Sequence, residues 1–279
     1  MNNSFTGPLV LPPHPCVNLS VLILSNNNFS GSIPTNIDVI FPNLRTLKLS
    51  QNCFEGKIAP SIGKMKSLWI LDPANNNLSG QIPQHLIMGC SSLAFLKLSY
   101  NNLYGKILPT ITNLTNRDGP NYLSELDISH NNISGALPSW LGNLSSLQSL
   151  FCQLHHLKYL DLSENDIQGS IPSCFSPQDL EHVLLQKNRL EGPMTNAFSN
   201  STSLVTLDIT DNHLNGGIPE WFVQLCQLKN LNIMDFSLNS LSGSIPSCID
   251  NITFKRESNS NGRNSEVELI EFGYGELYS

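Results

Sequence analysis

The sequence predicts an α/β repeat solenoid, in which short parallel strands stack from coil to coil. A frame of the form L-x-x-L-x-L-x-x-N-x-L-x-G-x-I-P recurs nine times along the 279 residues. Successive frame asparagines lie 23 to 34 residues apart, and six of the eight gaps measure 23–27 residues. Apolar residues alternate with other residues inside the frame, as in a β-strand, and a period near 24 residues is typical of solenoids. The frame asparagines are Asn27, Asn52, Asn76, Asn101, Asn131, Asn165, Asn188, Asn212 and Asn239.

Each position of the frame has a physical role. The two apolar residues of L-x-L point to the same side of a short strand and therefore into the coil. The asparagine follows the strand, where its amide can satisfy backbone groups that the turn buries. The glycine permits backbone angles that other residues avoid, and the Ile-Pro that follows buries an apolar side chain and fixes φ. One coil cannot bury its own leucines, so stacked neighbours must complete the core.

The predicted solenoid is a right-handed superhelix with a concave parallel β-sheet and an irregular or helical convex side. It occupies residues 1–248, with about nine full coils after a partial first coil at 3–9. Strands about 4.8 Å apart give the inner edge a length of about 40–45 Å. Segments 61–67 and 221–227 are expected on the convex side. Residues 249–279 are polar and lack the frame, which predicts a non-repeat tail and indicates a fragment of a longer repeat protein.

Two longer gaps interrupt the repeat. The 30-residue gap contains a Gly-Pro loop insertion at 115–122. The 34-residue gap contains the segment 147–155, which fits the frame with Cys152 at a leucine position and His155 at the asparagine position. The next frame starts at Leu157 and leaves no room for a full coil. The segment is therefore either a degenerate coil or a join where repeats were lost.

The composition argues against several classes of function. The net charge is −7 and the pI about 5.4, without clusters of lysine or arginine, which disfavours nucleic-acid binding. No apolar run approaches the roughly 18–20 residues of a membrane span, and the first residues lack the features of a signal peptide. No Cys/His spacing matches a zinc site, and the frame makes the serines a series in which no nucleophile stands out. We therefore expect no enzyme activity, no metal and no cofactor.

The side chains beside the strand leucines form the predicted concave surface. Aspartate recurs at one frame position and serine or threonine two residues later, which indicates a structural ladder within the repeat. Aromatic and basic residues interrupt this ladder, and such residues are common in sites that capture peptides or partner proteins. Any one of them, taken alone, is more often ordinary solvated surface than a binding residue. The predicted binding residues are Lys48, Phe95, Lys97, Tyr100, His130, Tyr159, His182, Lys187, Arg189 and His213.

Sequons of the form N-x-S/T predict N-glycosylation in a secreted chain. A sequence rich in asparagine and serine also produces sequons by composition alone, and three of them lie directly after a frame asparagine. Asn113, Asn143 and Asn200 lie outside the strands and are the strongest candidates. The predicted sites are Asn18, Asn28, Asn77, Asn113, Asn132, Asn143, Asn200 and Asn251, and a ninth sequon begins at Asn2.

Cysteines enclose two similar stretches. Cys152 and Cys174 are 22 residues apart, as are Cys226 and Cys248, and each pair falls on neighbouring coils. Stacked coils would bring such Cα atoms within the separation of about 4.4–6.8 Å that a disulfide tolerates. The sequons indicate an oxidising compartment, which favours two disulfides over four buried thiols. The total of seven leaves Cys16, Cys53 and Cys90 without an assigned partner.

The extended frame N-x-L-x-G-x-I-P resembles the plant extracellular type of leucine-rich repeat over residues 3–248. The phrase LCQL…IPSC, followed by a polar segment, is similar to the point where ectodomains of plant receptor-like proteins enter their island segment. The resemblance implies a module on the extracellular side of the plasma membrane that recognises a peptide, glycan or protein ligand. It also implies signalling in defence or development through a co-receptor kinase.

Two alternatives stay open at the level of sequence. Secreted inhibitors of pathogen cell-wall hydrolases use the same repeat, and a truncated product would have no independent function. The signal peptide, capping cysteine pairs and membrane span of receptor-like proteins are not recognisable in these residues. Membrane anchoring is therefore an expectation that rests on the resemblance alone.

Overall fold

The computed structural model of the chain contains two parallel β-sheets that run along a solenoid. It describes residues 3–107, 123–137, 156–172, 179–194, 196–228 and 230–244. The even-numbered strands form a nine-stranded sheet and the odd-numbered strands a ten-stranded sheet. In chain order the strands are β1 (Thr6–Pro8), β2 (Val21–Ile23), β3 (Asn28–Ser32), β4 (Thr46–Lys48), β5 (Cys53–Lys57), β6 (Ile70–Asp72), β7 (Asn77–Gly80), β8 (Phe95–Lys97), β9 (Asn102–Lys106), β10 (Glu125–Asp127), β11 (Asn132–Ala136), β12 (Tyr159–Asp161), β13 (Asp166–Gly169), β14 (His182–Leu184), β15 (Arg189–Pro193), β16 (Thr206–Asp208), β17 (His213–Gly217), β18 (Ile233–Asp235) and β19 (Ser240–Ser242).

The nine-stranded sheet is the predicted concave sheet, and each frame contributes one of its strands. Every strand has three residues, and the central one points into the coil. Leu47, Leu71 and Leu96 are such central residues, and all three are fully buried. The pairing is parallel and in register, so that equivalent frame positions lie side by side, as in Leu47 beside Leu71. The solenoid prediction is confirmed.

The ten-stranded sheet was not predicted. Its strands begin directly after the frame asparagine and run through the glycine, as in β9. A segment with one buried apolar residue and a glycine has a low intrinsic propensity for a β-strand. Hydrogen bonding to the neighbouring coils stabilises the strand instead. Gly105 in β9 has φ of +86°, and a Cβ there would lie 3.0 Å from Cγ of Gln81 in the preceding coil.

The residue before each frame asparagine adopts the left-handed backbone conformation, which the sequence analysis did not anticipate. The nine φ values lie between +50° and +59°. Asparagine, aspartate and histidine tolerate this region better than most residues, and they occupy several of these positions. The residues are Asn26, Gln51, Asn75, Tyr100, His130, Glu164, Lys187, Asp211 and Leu238. We call this series the rim, because it lies between a strand of the concave sheet and a strand of the second sheet.

The frame asparagines connect each coil to the one before it. The side-chain amide of Asn101 donates to the carbonyls of Leu98 and Ser99 in its own coil and of Pro73 in the preceding coil, at 3.1–3.2 Å. Its Oδ1 accepts a bond of 3.0 Å from the backbone N–H of Leu78. This pattern confirms that the amide satisfies backbone groups buried by the turn.

The convex side carries short helical segments, as predicted. The α-helices are α1 (Ile37–Ile40), α2 (Gln84–Gly89) and α3 (Phe222–Leu225), and 3-10 turns lie at Pro60–Lys64 and Asn196–Phe198. Among the described helices, none combines the length and the apolar character required to cross a membrane. The insertion at 115–122, the segment 147–155 and the tail at 249–279 lie outside the described residues.

Candidate functional site

Two rows of side chains run along the concave sheet, one on each side of the buried central residues. They are formed by the first and the third residue of each strand, which the parallel register aligns from coil to coil. The first row is Val21, Thr46, Ile70, Phe95, Glu125, Tyr159, His182, Thr206 and Ile233. The second row is Ile23, Lys48, Asp72, Lys97, Asp127, Asp161, Leu184, Asp208 and Asp235.

Half of the predicted binding residues lie in these rows. They are Lys48, Phe95, Lys97, Tyr159 and His182. Lys97 forms an ion pair with Glu125 in the next coil, with Nζ 2.8 Å from Oε1. The rings of Tyr159 and His182 are tilted neighbours with 5.8 Å between centroids.

Three further predicted residues, Tyr100, His130 and Lys187, belong to the rim. The rings of Tyr100 and His130 stack, and Nδ1 of His130 lies 2.9 Å from Oε2 of Glu164. Nζ of Lys187 donates to the other carboxylate oxygen of Glu164. The hydrogen bond with Glu164 raises the pKa of Lys187. The structure thus joins these residues into one chain of contacts beside the concave sheet.

Arg189 and His213 do not lie on the concave sheet, so their predicted placement was wrong. They begin β15 and β17 of the second sheet. The cause is the unpredicted second sheet, which turns the residue after each frame asparagine away from the concave rows. Nε of Arg189 lies 2.6 Å from Oδ1 of Asp166 in the preceding coil. Arg189 and Asp166 both line a groove of about 420 Å³ beside the second sheet.

Trp69 is a concave-side residue that sequence reasoning missed. It lies one position before β6 and is 47% exposed. Its indole meets the ring of Phe95 edge-on, with 5.2 Å between centroids and 87° between planes. Trp69 lies just outside the strand, so the strand pattern alone does not include it. Its position between the frame leucines Leu68 and Leu71 was nevertheless a usable signal for the concave side.

The aspartates and hydroxyl residues form the predicted structural ladder. Oδ1 of Asp127 accepts from the hydroxyl of Ser129 at 2.7 Å, and Oδ2 accepts from Ser99 of the preceding coil at 2.6 Å. Asp161 and Ser163 repeat the first of these bonds at 2.6 Å. These donors are neutral, so the ladder orients the carboxylates without cancelling their charge.

Burial, neighbouring charges and hydrogen bonds shift several pKa values on this sheet, three of them near its centre. Burial, together with the charge of Asp127, raises the pKa of Asp161 to about 6. Burial and the charge of Asp161 also raise the pKa of Tyr159. Burial opposes the charge of Lys97, but the hydrogen bond and the charge of Glu125 raise its pKa overall. The centre of the sheet is therefore an acidic environment.

Five of the predicted glycosylation sites lie in the described part of the chain, and all five are exposed: Asn18, Asn28, Asn77, Asn132 and Asn200. Asn113, Asn143 and Asn251, like Asn2, lie outside the described residues.

Among the cysteines, Cys226 is disulfide-bonded, and Cys152, Cys174 and Cys248 lie outside the described residues. Cys16, Cys53 and Cys90 are free thiols. The two predicted pairings therefore stay predictions.

Comparison with known proteins identifies the repeat. The Leucine Rich Repeat family model matches residues 18–39, 43–65, 122–144, 156–177 and 203–225. The chain is 32% identical over 137 residues to Receptor-like protein 7 of Arabidopsis thaliana, a match that covers 49% of this chain and 12% of the relative. It is 34% identical over 219 residues to Cuscuta receptor 1 of Solanum lycopersicum, covering 78% of this chain and 14% of the relative. The chain thus spans a small part of the length of these curated relatives.

A solved structure agrees with this assignment. The Arabidopsis receptor kinase HAESA, in complex with the peptide hormone IDA and the co-receptor SERK1, superposes with a TM-score of 0.73 and 32% sequence identity. The match covers 88% of this chain and 38% of that chain. The chain therefore contains leucine-rich repeats and is similar to plant receptor-like proteins over part of their length.

Proposed function

We propose that this chain is an extracellular recognition segment of a plant receptor-like protein and binds a peptide or protein ligand on its concave sheet. The observation that carries this proposal is the alignment of aromatic and charged side chains from consecutive coils in two parallel rows. Parallel pairing and the asparagine bonds fix the spacing of these side chains before any ligand arrives. A preorganised surface of this kind loses little conformational entropy on binding.

The proposed setting is the extracellular side of the plasma membrane. The HAESA structure holds a peptide hormone and a co-receptor together on one ectodomain of the same fold. By analogy, ligand binding here would recruit a co-receptor kinase, with an output in defence or in development. The proposal includes no catalytic activity.

Glycans and disulfides belong to the same proposal. Five sequon asparagines are exposed, so each can carry an N-linked glycan: Asn18, Asn28, Asn77, Asn132 and Asn200. We propose the pairs Cys152–Cys174 and Cys226–Cys248 as disulfides between neighbouring coils. Peptide mapping of protein secreted from plant cells, with and without reduction, tests both modifications; unmodified sequons together with four free thiols would contradict an extracellular location.

A peptide selection tests the binding function. The secreted chain is immobilised and used to select from a random-peptide display library, and the enriched peptides are then synthesised. Binding is expected to fall at least about tenfold in Phe95→Ala, which removes an aromatic side chain from the concave rows. Tyr104→Ala is the matched control, because Tyr104 is a 48% exposed aromatic residue in the second sheet. Failure to enrich any peptide whose binding depends on Phe95 would refute the proposal.

A further inference from the structure

The two ends of the concave sheet differ in chemical character. Toward the first coils the rows carry exposed aliphatic and aromatic side chains, and toward the last coils the second row carries aspartate at four of its last five positions, although Ile233 of the first row is also exposed. The apolar patch is defined as Val21, Ile23, Trp69, Ile70 and Phe95. The acidic strip is defined as Asp127, Asp161, Asp208 and Asp235.

The apolar patch is more exposed than its chemistry favours. Val21, Ile23 and Trp69 are 50%, 58% and 47% exposed. Val21 and Ile23 lie in one strand, and Trp69 lies two strands away in contact with Phe95. Large apolar side chains that stay in water on one face mark surfaces that a partner covers. Charge in these first coils is mixed, since the second row there carries Lys48 and Lys97 beside one aspartate, Asp72.

At neutral pH the acidic strip retains its charge. Its carboxylates accept hydrogen bonds from hydroxyl groups and backbone N–H groups of the ladder, which are neutral donors. Within the described part of the chain, no lysine, arginine or histidine forms an ion pair with any member of the strip. Glu125 lies beside the strip but already pairs with Lys97. Burial, together with the charge of the neighbouring Asp127, raises the pKa of Asp161.

A ligand that spans both regions must change character along its length. Six strand spacings, or about 29 Å, separate β18 from β6, where the part of the apolar patch formed by Trp69, Ile70 and Phe95 begins. An extended peptide rises about 3.3 Å per residue, so about nine residues cover this distance. Val21 and Ile23 on β2 lie two strands further on. Apolar residues complement the first end, and lysine or arginine residues complement the second, because cations offset the negative charge of the strip.

We infer that the concave sheet binds an extended, amphiphilic basic peptide, with its apolar residues on the apolar patch and its cationic residues on the acidic strip. This inference rests on the proposed function, since it names the ligand class of the same surface. The two ends of the peptide have separate tasks. Burial of the apolar end supplies most of the binding free energy, and the cationic end sets orientation and association rate.

The test reads the composition of the peptides enriched by the selection described above. Expected sequences carry aromatic or aliphatic residues at one end and two or more lysine or arginine residues at the other. Two synthetic nine-residue probes check this directly: one is apolar at its N-terminal half and lysine-rich at its C-terminal half, and the other has the reverse order. One order is expected to bind at least about tenfold more tightly than the other.

Matched variants then separate the two halves of the surface. Trp69→Ala is expected to weaken the preferred probe at least about tenfold at any salt concentration, and Tyr104→Ala to leave it unchanged. The double variant Asp127→Asn/Asp235→Asn is expected to weaken it about tenfold at low salt and to abolish most of its salt dependence. Glu55→Gln/Glu191→Gln is the control, because it removes two exposed carboxylates from the second sheet. Asp235→Asn alone replaces the double variant if loss of the Asp127 hydrogen bonds unfolds the chain, since Asp235 is exposed.

The outcomes are distinguishable. Enrichment of neutral or acidic peptides would overturn the inference and leave the proposed function intact. The same holds for enriched peptides whose affinity is unchanged by the aspartate variants. Absence of any peptide that depends on Phe95 would overturn both.

Discussion

The imidazole of His130 stacks on the phenol ring of Tyr100, with 3.9 Å between ring centroids and 15° between planes. Both residues occupy the rim position of adjacent coils and hold φ values of +50° and +53°. The contact continues through Glu164 to Lys187 in the next two coils. Side chains that would be independent on a single turn thus become one chain of contacts because the coils stack in register.

Glu164→Gln is expected to destabilise the chain only slightly, although it breaks contacts with both His130 and Lys187. All three side chains are at least a quarter exposed, and exposed ion pairs contribute about 0.2–1 kcal/mol each. Urea unfolding should show a loss of about 1 kcal/mol at low salt and less in 1 M NaCl. Glu191→Gln in the second sheet is the control. A loss above about 3 kcal/mol would mean that the rim contacts are far stronger than their exposure allows.

Asn101→Ala is expected to cost about 2–4 kcal/mol of unfolding free energy. The side chain is 8% exposed and serves three carbonyls and one backbone N–H, all of which the substitution leaves without their partner. Asn102→Ala, one residue later, removes an exposed amide and should cost less than about 1 kcal/mol. The comparison is made by thermal and urea unfolding, and equal losses in the two variants would contradict the assigned role of the frame asparagine.

Asp161 makes the folded state less stable as the pH rises. Its pKa rises from 3.8 to about 6 on folding, so the folded chain holds a proton between these values that the unfolded chain has released. Stability from this group is therefore present near pH 4 and is lost through pH 6, with a magnitude of about 2–3 kcal/mol.

Asp161→Asn removes this titration. Unfolding free energies are measured between pH 4 and pH 7.5 for both chains. As the pH rises across this range, the unfolding free energy of the wild type should fall by about 2–3 kcal/mol relative to that of the variant. The pKa of Asp235 is lowered because the carboxylate accepts a backbone hydrogen bond from Ser237, so Asp235→Asn should show the opposite trend in a profile extended below pH 4. Parallel pH profiles for wild type and Asp161→Asn would refute the assignment.

The free thiols should differ in reactivity. Cys53 is exposed, whereas Cys90 is fully buried and burial raises its pKa to about 12. A maleimide reagent at pH 8 is expected to modify Cys53 in the native chain and Cys90 only after addition of denaturant. Peptide mapping by mass spectrometry identifies the modified residue, and Cys53→Ser supplies a chain without the fast site. Rapid native labelling of Cys90 would show that the second and third coils are not packed as described.

The concave sheet was predictable because its signal is local and repeated. Leu47, Leu71 and Leu96 each follow the same pattern, and burial of one face of a strand has a period that the sequence displays directly. The second sheet was not predictable in this way, since Leu103 is the single fully buried apolar residue of β9. Its strands exist through pairing between coils, which is a relation between residues about 24 positions apart.

The candidate site follows the same division. Phe95, Lys97 and Tyr159 were found because they lie in strands whose direction the leucines fix. Arg189 and His213 were misplaced because the left-handed residue before each frame asparagine redirects the chain, and φ is not visible in composition. Tyr100 and Lys187 offered no signal for that conformation, whereas Asn26 and Asp211 did.

The asparagine bonds also determine how the solenoid responds to mechanical force. Asn101 ties its own turn to the preceding one through the carbonyl of Pro73 and the N–H of Leu78, and Asn131 does the same one coil later. Tension along the axis therefore loads these links in series, so that the weakest one yields while its neighbours hold. We expect a pulled chain to lengthen in steps of about one coil, with a sawtooth force trace in single-molecule stretching. A pulled solenoid of this kind would therefore yield gradually, one coil at a time.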